Sequence, residues 1–175
     1  MNIEKAVIRN IPTNPIKIIF LDIDGVLNHD QWYVSKEYQA IYQNEDNELD
    51  IDPKCAERIN KICEQTGAKI VISSDWRISW YGTLMRLQRG GINTEYIIDK
   101  TPALLWIDFP GLDKSRGFEI ETWLDFHLDI NNYVIIDDRT DFKPEQQKHF
   151  IHINPHYGIT DEDMNKAINI LNTNF

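Results

Sequence analysis

Residues 18–28 read Ile18-Ile19-Phe20-Leu21-Asp22-Ile23-Asp24-Gly25-Val26-Leu27-Asn28. Four apolar residues run into two aspartates one residue apart, and a glycine follows at once. An apolar run without polar alternation predicts a strand buried on both faces, as in a parallel sheet covered by helices. Its end delivers two carboxylates, and Gly25 permits the sharp exit or positive φ that the chain needs there. Open α/β sheets place their ligand sites at the carboxyl ends of central strands. Asp22 is therefore the candidate nucleophile. Asp-x-Asp-Gly alone is also a turn sequence, so the rest of the chain has to decide.

The same alternation of apolar runs and helical spacing recurs to the end of the chain. Asp52-Pro53 predicts a helix start, with Asp as N-cap and Pro at the first helical position. Ala56, Ile59, Ile62 and Cys63 follow on one face, and Gly67 ends the helix. Lys69 to Ser73 is a second strand. Helical spacing returns through Ile78, Tyr81, Leu84, Met85 and Leu87 until Gly90-Gly91. A weak strand covers 96–98, and a helix runs from Gly117 to Leu128 with Ile120, Trp123, Leu124 and Leu128 on one face. Tyr133 to Asp138 is a third apolar run, Phe150 to Ile153 a last strand, and Thr160 opens a closing helix behind Ile159. Strands alternating with helices imply an α/β fold with a doubly wound, mainly parallel sheet.

The 175 residues suit a single domain, 1–175, with 42% hydrophobic and 26% charged residues as in ordinary globular chains. Residues 28–50 are polar and aromatic without Gly or Pro, which predicts a short flap or helical hairpin over the strand ends. Residues 1–15 read as a leader lying over the sheet. No apolar run reaches the roughly 20 residues of a membrane helix. Met1 to Lys5 does not resemble a signal peptide, and a cytoplasmic location is expected. The net charge is −10, and six acids fall within residues 37–52 with no Lys or Arg among them. Such a chain is poorly suited to gripping duplex DNA through its phosphates. Cys55 and Cys63, about 12 Å apart if they share one helix, are too far apart for a disulfide. They are expected in the core.

Three strand-like runs end in reactive groups: Asp22/Asp24, Ser73/Ser74 and Asp137/Asp138. In a parallel sheet these ends share one edge. Phosphoryl transfer to an aspartate needs an attacking carboxylate and a second acid that protonates the leaving oxygen and then activates water. Asp22 and Asp24 fit those roles. Several carboxylates beside a phosphate require a hard cation, and Mg²⁺ held by carboxylates and substrate oxygens meets the need. Ser73 or Ser74 can hold a phosphate oxygen, and Arg116 or Lys114 can neutralise charge.

The four segments Asp22-Ile23-Asp24-Gly25-Val26-Leu27, Val71-Ile72-Ser73-Ser74, Lys114-Ser115-Arg116-Gly117 and Ile135-Ile136-Asp137-Asp138 resemble motifs one to four of the haloacid-dehalogenase-like (HAD) phosphatase superfamily, in its order. The strings Ser73-Ser74-Asp75-Trp76-Arg77 and Arg116-Gly117-Phe118-Glu119-Ile120 are similar to the HAD domain of Swiss Army Knife RNA repair proteins. The resemblance implies a Rossmann-like HAD fold with a minimal cap and a Mg²⁺-dependent phosphatase. It implies that Asp22 carries the phosphoryl group and Asp24 is acid and base. It further implies that Mg²⁺ binds the Asp22 carboxylate, the Asp24 carbonyl and Asp138, with Asp137 behind it. The expected partner is a phosphorylated substrate, either a nucleic-acid terminal phosphate or a small metabolite. A non-catalytic phosphate-binding module is the reading from another class.

Several neighbours keep two readings. Asp75 is a surface or capping residue, and Arg77 either binds substrate or pairs with a loop carboxylate. Arg139 and Asp141 either extend motif four or form a salt-bridged loop. Trp32 and Tyr33 either close the site or pack the flap onto the domain. Trp76, Trp80, Trp106 and Trp123 are expected in core or half-buried positions. His152 and His156 are expected at the surface, since Pro155 breaks any helical pairing between them.

Overall fold

The computed structural model describes residues 16–42 and 50–173. The expected leader, and Glu45, Asp46 and Glu48 of the acidic run, lie outside the described residues.

Strand β1 (Ile16–Leu21) is the centre of a five-stranded, all-parallel sheet. β2 (Lys69–Ile72) and β3 (Ile97–Lys100) lie to one side of it; β4 (Ile130–Asp137) and β5 (Phe150–His152) lie to the other. Leu21 stands opposite Ile72 on one neighbour and Ile136 on the other. The helices are α1 (Asp30–Tyr33), α2 (Lys36–Tyr42), α3 (Pro53–Thr66), α4 (Trp80–Arg89), α5 (Arg116–Asp125) and α6 (Asp161–Asn172).

The run from Ile18 to Leu21 is apolar throughout because both faces of β1 are covered. Ile19 and Leu21 pack with Ile59, Ile62, Ala167 and Leu171 of α3 and α6. Ile18 and Phe20 pack with Ile120 and Trp123 of α5 on the opposite face. Each of those four strand residues is fully buried, and burial of such side chains is worth about 1.5–3 kcal/mol apiece.

Several helix signals in the sequence hold at atomic detail. The Asp52 carboxylate accepts from the Lys54 N–H, Pro53 opens α3, and Gly67 closes it in the left-handed region. Thr160 and Asp163 form a reciprocal capping box on α6. Cys55 and Cys63 are free and buried on α3.

Three expectations need correction. Ile78, Tyr81 and Met85 are not a buried stripe, being 55%, 83% and 54% exposed. Residues Asp75–Ser79 form a 3-10 turn with three residues per turn, so Ile78 is out of phase with α4, whose buried residues are Thr83 and Leu87. The helix expected to reach Leu128 ends at Asp125, and Leu128 is exposed. Trp106 is exposed too, on a short 3-10 turn outside the core.

The flap is a pair of short helices, α1 and α2, as far as it is described. Trp32 is buried and meets Tyr38 edge-on, while Tyr38 also meets Tyr33 and Tyr42. Its root is anchored by a buried pair, His29 Nε2 to Asp52 Oδ2 at 3.0 Å. His29 Nδ1 accepts the Trp32 N–H, so both ring nitrogens are engaged. This pair lies near Cys55, with their polar atoms within 4.8 Å of one another. Both His29 nitrogens and the Asp52 cap being in use, the trio acts as a structural joint between flap and α3.

Candidate active site

The chain runs outward from β1 through β2 to β3, then returns to build β4 and β5 on the other side. The order therefore reverses between β1 and β4, and a crevice opens at their carboxyl ends. Asp22 follows the last residue of β1, and its N–H donates to the Ile136 carbonyl at 3.1 Å. Asp137 ends β4 and Asp138 follows. Carboxylate oxygens of Asp22, Asp137 and Asp138 lie within 4.8 Å of one another. Ser73 stands on the other flank of Asp22, its N–H bonded to the Leu21 carbonyl at 2.8 Å.

Gly25 sets the other wall. Its φ is 73°, and a Cβ there would meet Asp138 Oδ2 at 2.6 Å and Pro155 Cβ at 3.0 Å. The glycine is required both by backbone conformation and by the approach of Asp138.

Arg116 opens α5 behind the Ser115 N-cap, and its backbone N–H donates to Asp141 Oδ2 at 2.9 Å. That contact, with Arg139 paired to Asp141, makes the 139–141 segment a salt-bridged loop that holds the start of α5. The buried guanidinium reaches Asp137 Oδ2 at 3.6 Å and Asp22 Oδ1 at 3.9 Å. Lys114 stays outside this cluster: its ammonium donates to the Leu105 carbonyl at 3.3 Å, and it pairs with no carboxylate among the described residues.

Burial pushes the Asp22 carboxyl above its usual range, against the pull of Arg116, the Ile23 N–H and the Ser74 hydroxyl. Burial and then the Asp22 charge push Asp137 up as well, and burial and the nearby Asp24 raise Asp138. One guanidinium does not balance three carboxylates. A divalent cation fits this donor set, which is all hard carboxylate oxygen. Asp137 Oδ2, Ser73 Oγ, and Arg116 Nε and Nη1 are buried and make no hydrogen bond among the described residues. Buried polar atoms are normally satisfied, so this concentration at one crevice is the mark of a site built for a polar guest.

Asp24 has hydrogen-bond partners of its own. Asn28 Nδ2 donates to Asp24 Oδ1 at 2.8 Å, and Trp76 Nε1 donates to Asp24 Oδ2 at 2.9 Å. Asn28 Oδ1 also accepts the Gly25 N–H, so the loop after β1 is tied to its own carboxylate. Ser74 caps the turn that carries Trp76.

The family model described as the HAD domain in Swiss Army Knife RNA repair proteins matches residues 18–164. The chain belongs to this HAD family. No match was found among curated proteins or among solved structures. The parallel sheet with its reversal between β1 and β4 is the HAD Rossmann-like fold, and all four motifs lie within the matched residues. Membership places the chain in the HAD hydrolase/phosphatase superfamily, which implies a phosphorylated substrate. No helix among the described residues is long and apolar enough to cross a membrane.

Sequence reasoning missed three participants. Trp76, half-buried as expected, also reaches Asp24; its place two residues after Ser74 was the available signal. Asn28 closes the first motif and binds both Asp24 and Gly25. Glu119 is buried on α5, where it accepts from Arg77 Nη2 at 2.6 Å and from the Leu104 N–H at 2.9 Å. Arg77 also donates to the Ser74 and Pro102 carbonyls, so it is a buried strut beneath the site. Asp75 is exposed but lies 3.9 Å from Arg116.

Proposed function

We propose that this HAD protein is a Mg²⁺-dependent phosphomonoester hydrolase working through a phosphorylated Asp22. The observation that carries the reading is the cluster of buried Asp22 and Asp137 with half-buried Asp138 against Arg116, with unsatisfied polar atoms converging on it. Asp22, Asp137 and Asp138 would hold Mg²⁺, which when bound neutralises the carboxylates and polarises the phosphoryl group. Asp137 and Asp138 both remain candidate direct ligands.

Attack by an Asp22 oxygen forms an acyl-phosphate bond while the bond from phosphorus to the leaving oxygen breaks. Asp24, in its protonated form, gives that oxygen its proton. The Asp24 carboxylate then takes a proton from a water that attacks phosphorus, which frees Asp22 and inorganic phosphate. Arg116 stabilises charge on the transferring group, and Ser73 Oγ donates to one of its oxygens. The Ser74 hydroxyl, which favours the charged form of Asp22, helps to orient the nucleophile.

A minimal flap favours an extended alcohol such as a nucleic-acid end. A small metabolite is the second reading, favoured by the net charge of −10, which opposes a grip on long polyanions. Retention of both Asp22 and Asp24 speaks against a purely binding role. Hydrolysis of phenyl phosphate with and without Mg²⁺ tests the reading. Full activity in Asp22→Asn overturns it.

A further inference from the structure

Beside Asp24 lies a pocket of about 490 Å³ that includes none of the four reacting carboxylates in its lining. Its walls are Asp75, Trp76, Ile78, Ser79 and Arg86, from the turn after β2 and from α4. Two of these residues join it to the chemistry. Trp76 Nε1 is bonded to Asp24, and Asp75 lies 3.9 Å from the Arg116 guanidinium that faces Asp22. A substrate whose phosphoryl group sits on Asp22, with its leaving oxygen toward Asp24, therefore extends its alcohol toward this pocket.

The pocket offers two kinds of recognition. The Trp76 indole is a broad π surface held at one edge by Asp24, and the half-exposed Ile78 continues the apolar wall. Arg86 lies over the Trp76 ring at 5.0 Å and is the one cation lining the pocket among the described residues. Its guanidinium also pairs with Asp50 at 3.5 Å, which keeps it against the ring. Ser79 precedes α4 without capping it by its side chain, and its hydroxyl lines the same space. Asp75, the one acid there among the described residues, is drawn toward Arg77 and Arg116.

We infer that this pocket binds the leaving group, and that it selects a nucleoside carrying a further phosphate, with the base against Trp76 and Ile78 and the second phosphate on Arg86. Aromatic side chains stack any base without reading its sequence, and a planar guanidinium suits phosphate better than an ammonium does. The inference rests on the phosphatase reading for what happens at Asp22, but the pocket's binding can be measured without turnover.

The test compares kcat/KM, in Mg²⁺, for a nucleoside 3′,5′-bisphosphate, the nucleoside monophosphate with the same scissile ester, and a sugar bisphosphate without a base. The bisphosphate nucleoside is expected to exceed both by at least tenfold. Arg86→Gln is expected to remove its advantage over the monophosphate, mainly through KM, and Arg86→Lys to restore part of it. Equal kcat/KM for the three compounds, with phenyl phosphate still hydrolysed, overturns the subsite and leaves the phosphatase reading standing. Calorimetry on Asp22→Asn separates the opposite case. Tight binding of the nucleoside bisphosphate, weakened at least fivefold by Arg86→Gln, upholds the subsite even if the wild type hydrolyses nothing. Absence of that Arg86 dependence overturns it. A phosphorylated oligonucleotide used as well as the bisphosphate supports the same subsite, with a diester as the second phosphate.

Discussion

The indole N–H of Trp76 donates to the Asp24 carboxylate at 2.9 Å, so a residue from the turn after β2 holds the second acid of the loop after β1. Neither end of that bond is adjacent in sequence, and the carboxylate's other oxygen is held by Asn28. Asp24 is thus aimed by two neutral donors. Positioned acid–base groups contribute typically 10²–10⁴-fold to rate. Trp76→Phe, which removes the N–H and keeps the ring, is expected to lower kcat by about tenfold to a hundredfold of that contribution. An unchanged kcat in Trp76→Phe would remove Trp76 from the positioning role.

The three clustered carboxylates give a direct signature of metal binding. Mg²⁺ at a hundred times its dissociation constant should stabilise the fold by about 2.7 kcal/mol, read as a rise in Tm of several degrees. Asp137→Asn and Asp138→Asn should each lose most of that rise. In metal-free protein Asp137→Asn should not lower Tm, because the wild-type carboxyl is held above its usual range by burial and by Asp22. A Mg²⁺ shift of full size in both variants would rule out this cluster as the metal site.

Arg77 and Glu119 form a buried pair, 2% and 4% exposed, at 2.6 Å. Removing one partner strands the other, which costs about 3–5 kcal/mol for such pairs. Glu119→Ala should show that loss in chemical denaturation, and also leaves the Leu104 N–H without its acceptor. A loss below about 1 kcal/mol, the range of exposed pairs, would contradict the strut. The double replacement of Arg77 and Glu119 by apolar residues should recover part of the stability.

His149 supplies a pH effect remote from the site. It is buried, bonded through Nδ1 to the Tyr133 carbonyl and stacked on the Tyr133 ring at 4.0 Å. Burial, helped by Lys148, holds its pKa below the usual 6.5. The unfolded chain therefore binds a proton that the folded one resists. Its contribution is complete above about pH 6.5 and is lost as pH falls through that value toward the lowered pKa. Tm measured from pH 7.5 down to 5 should fall less steeply in His149→Gln than in the wild type. Parallel slopes would assign the acid sensitivity elsewhere.

The local chemistry of this HAD protein was written in its sequence. Ile18 to Leu21 predicted a strand covered on both faces, and the two core clusters divide those four residues between the faces. Asp52, Pro53, Gly67 and Thr160 predicted helix ends because capping depends only on residues within one turn. The paired acids and hydroxyls at strand ends predicted which residues would meet. Tertiary structure decided what no local pattern encodes. The reversal of strand order opens the crevice between β1 and β4, and it depends on how whole helices pack. The choice of Arg116 over Lys114 beside Asp22 followed from helix phase and burial at the start of α5. Ile78, apolar in sequence, was turned outward by the 3-10 turn that brings Trp76 to Asp24. Residues 22 and 24 were always two carboxylates one residue apart. The folded chain gives them different surroundings: Asp22 is buried against a cation, and Asp24 is exposed and held by two hydrogen bonds.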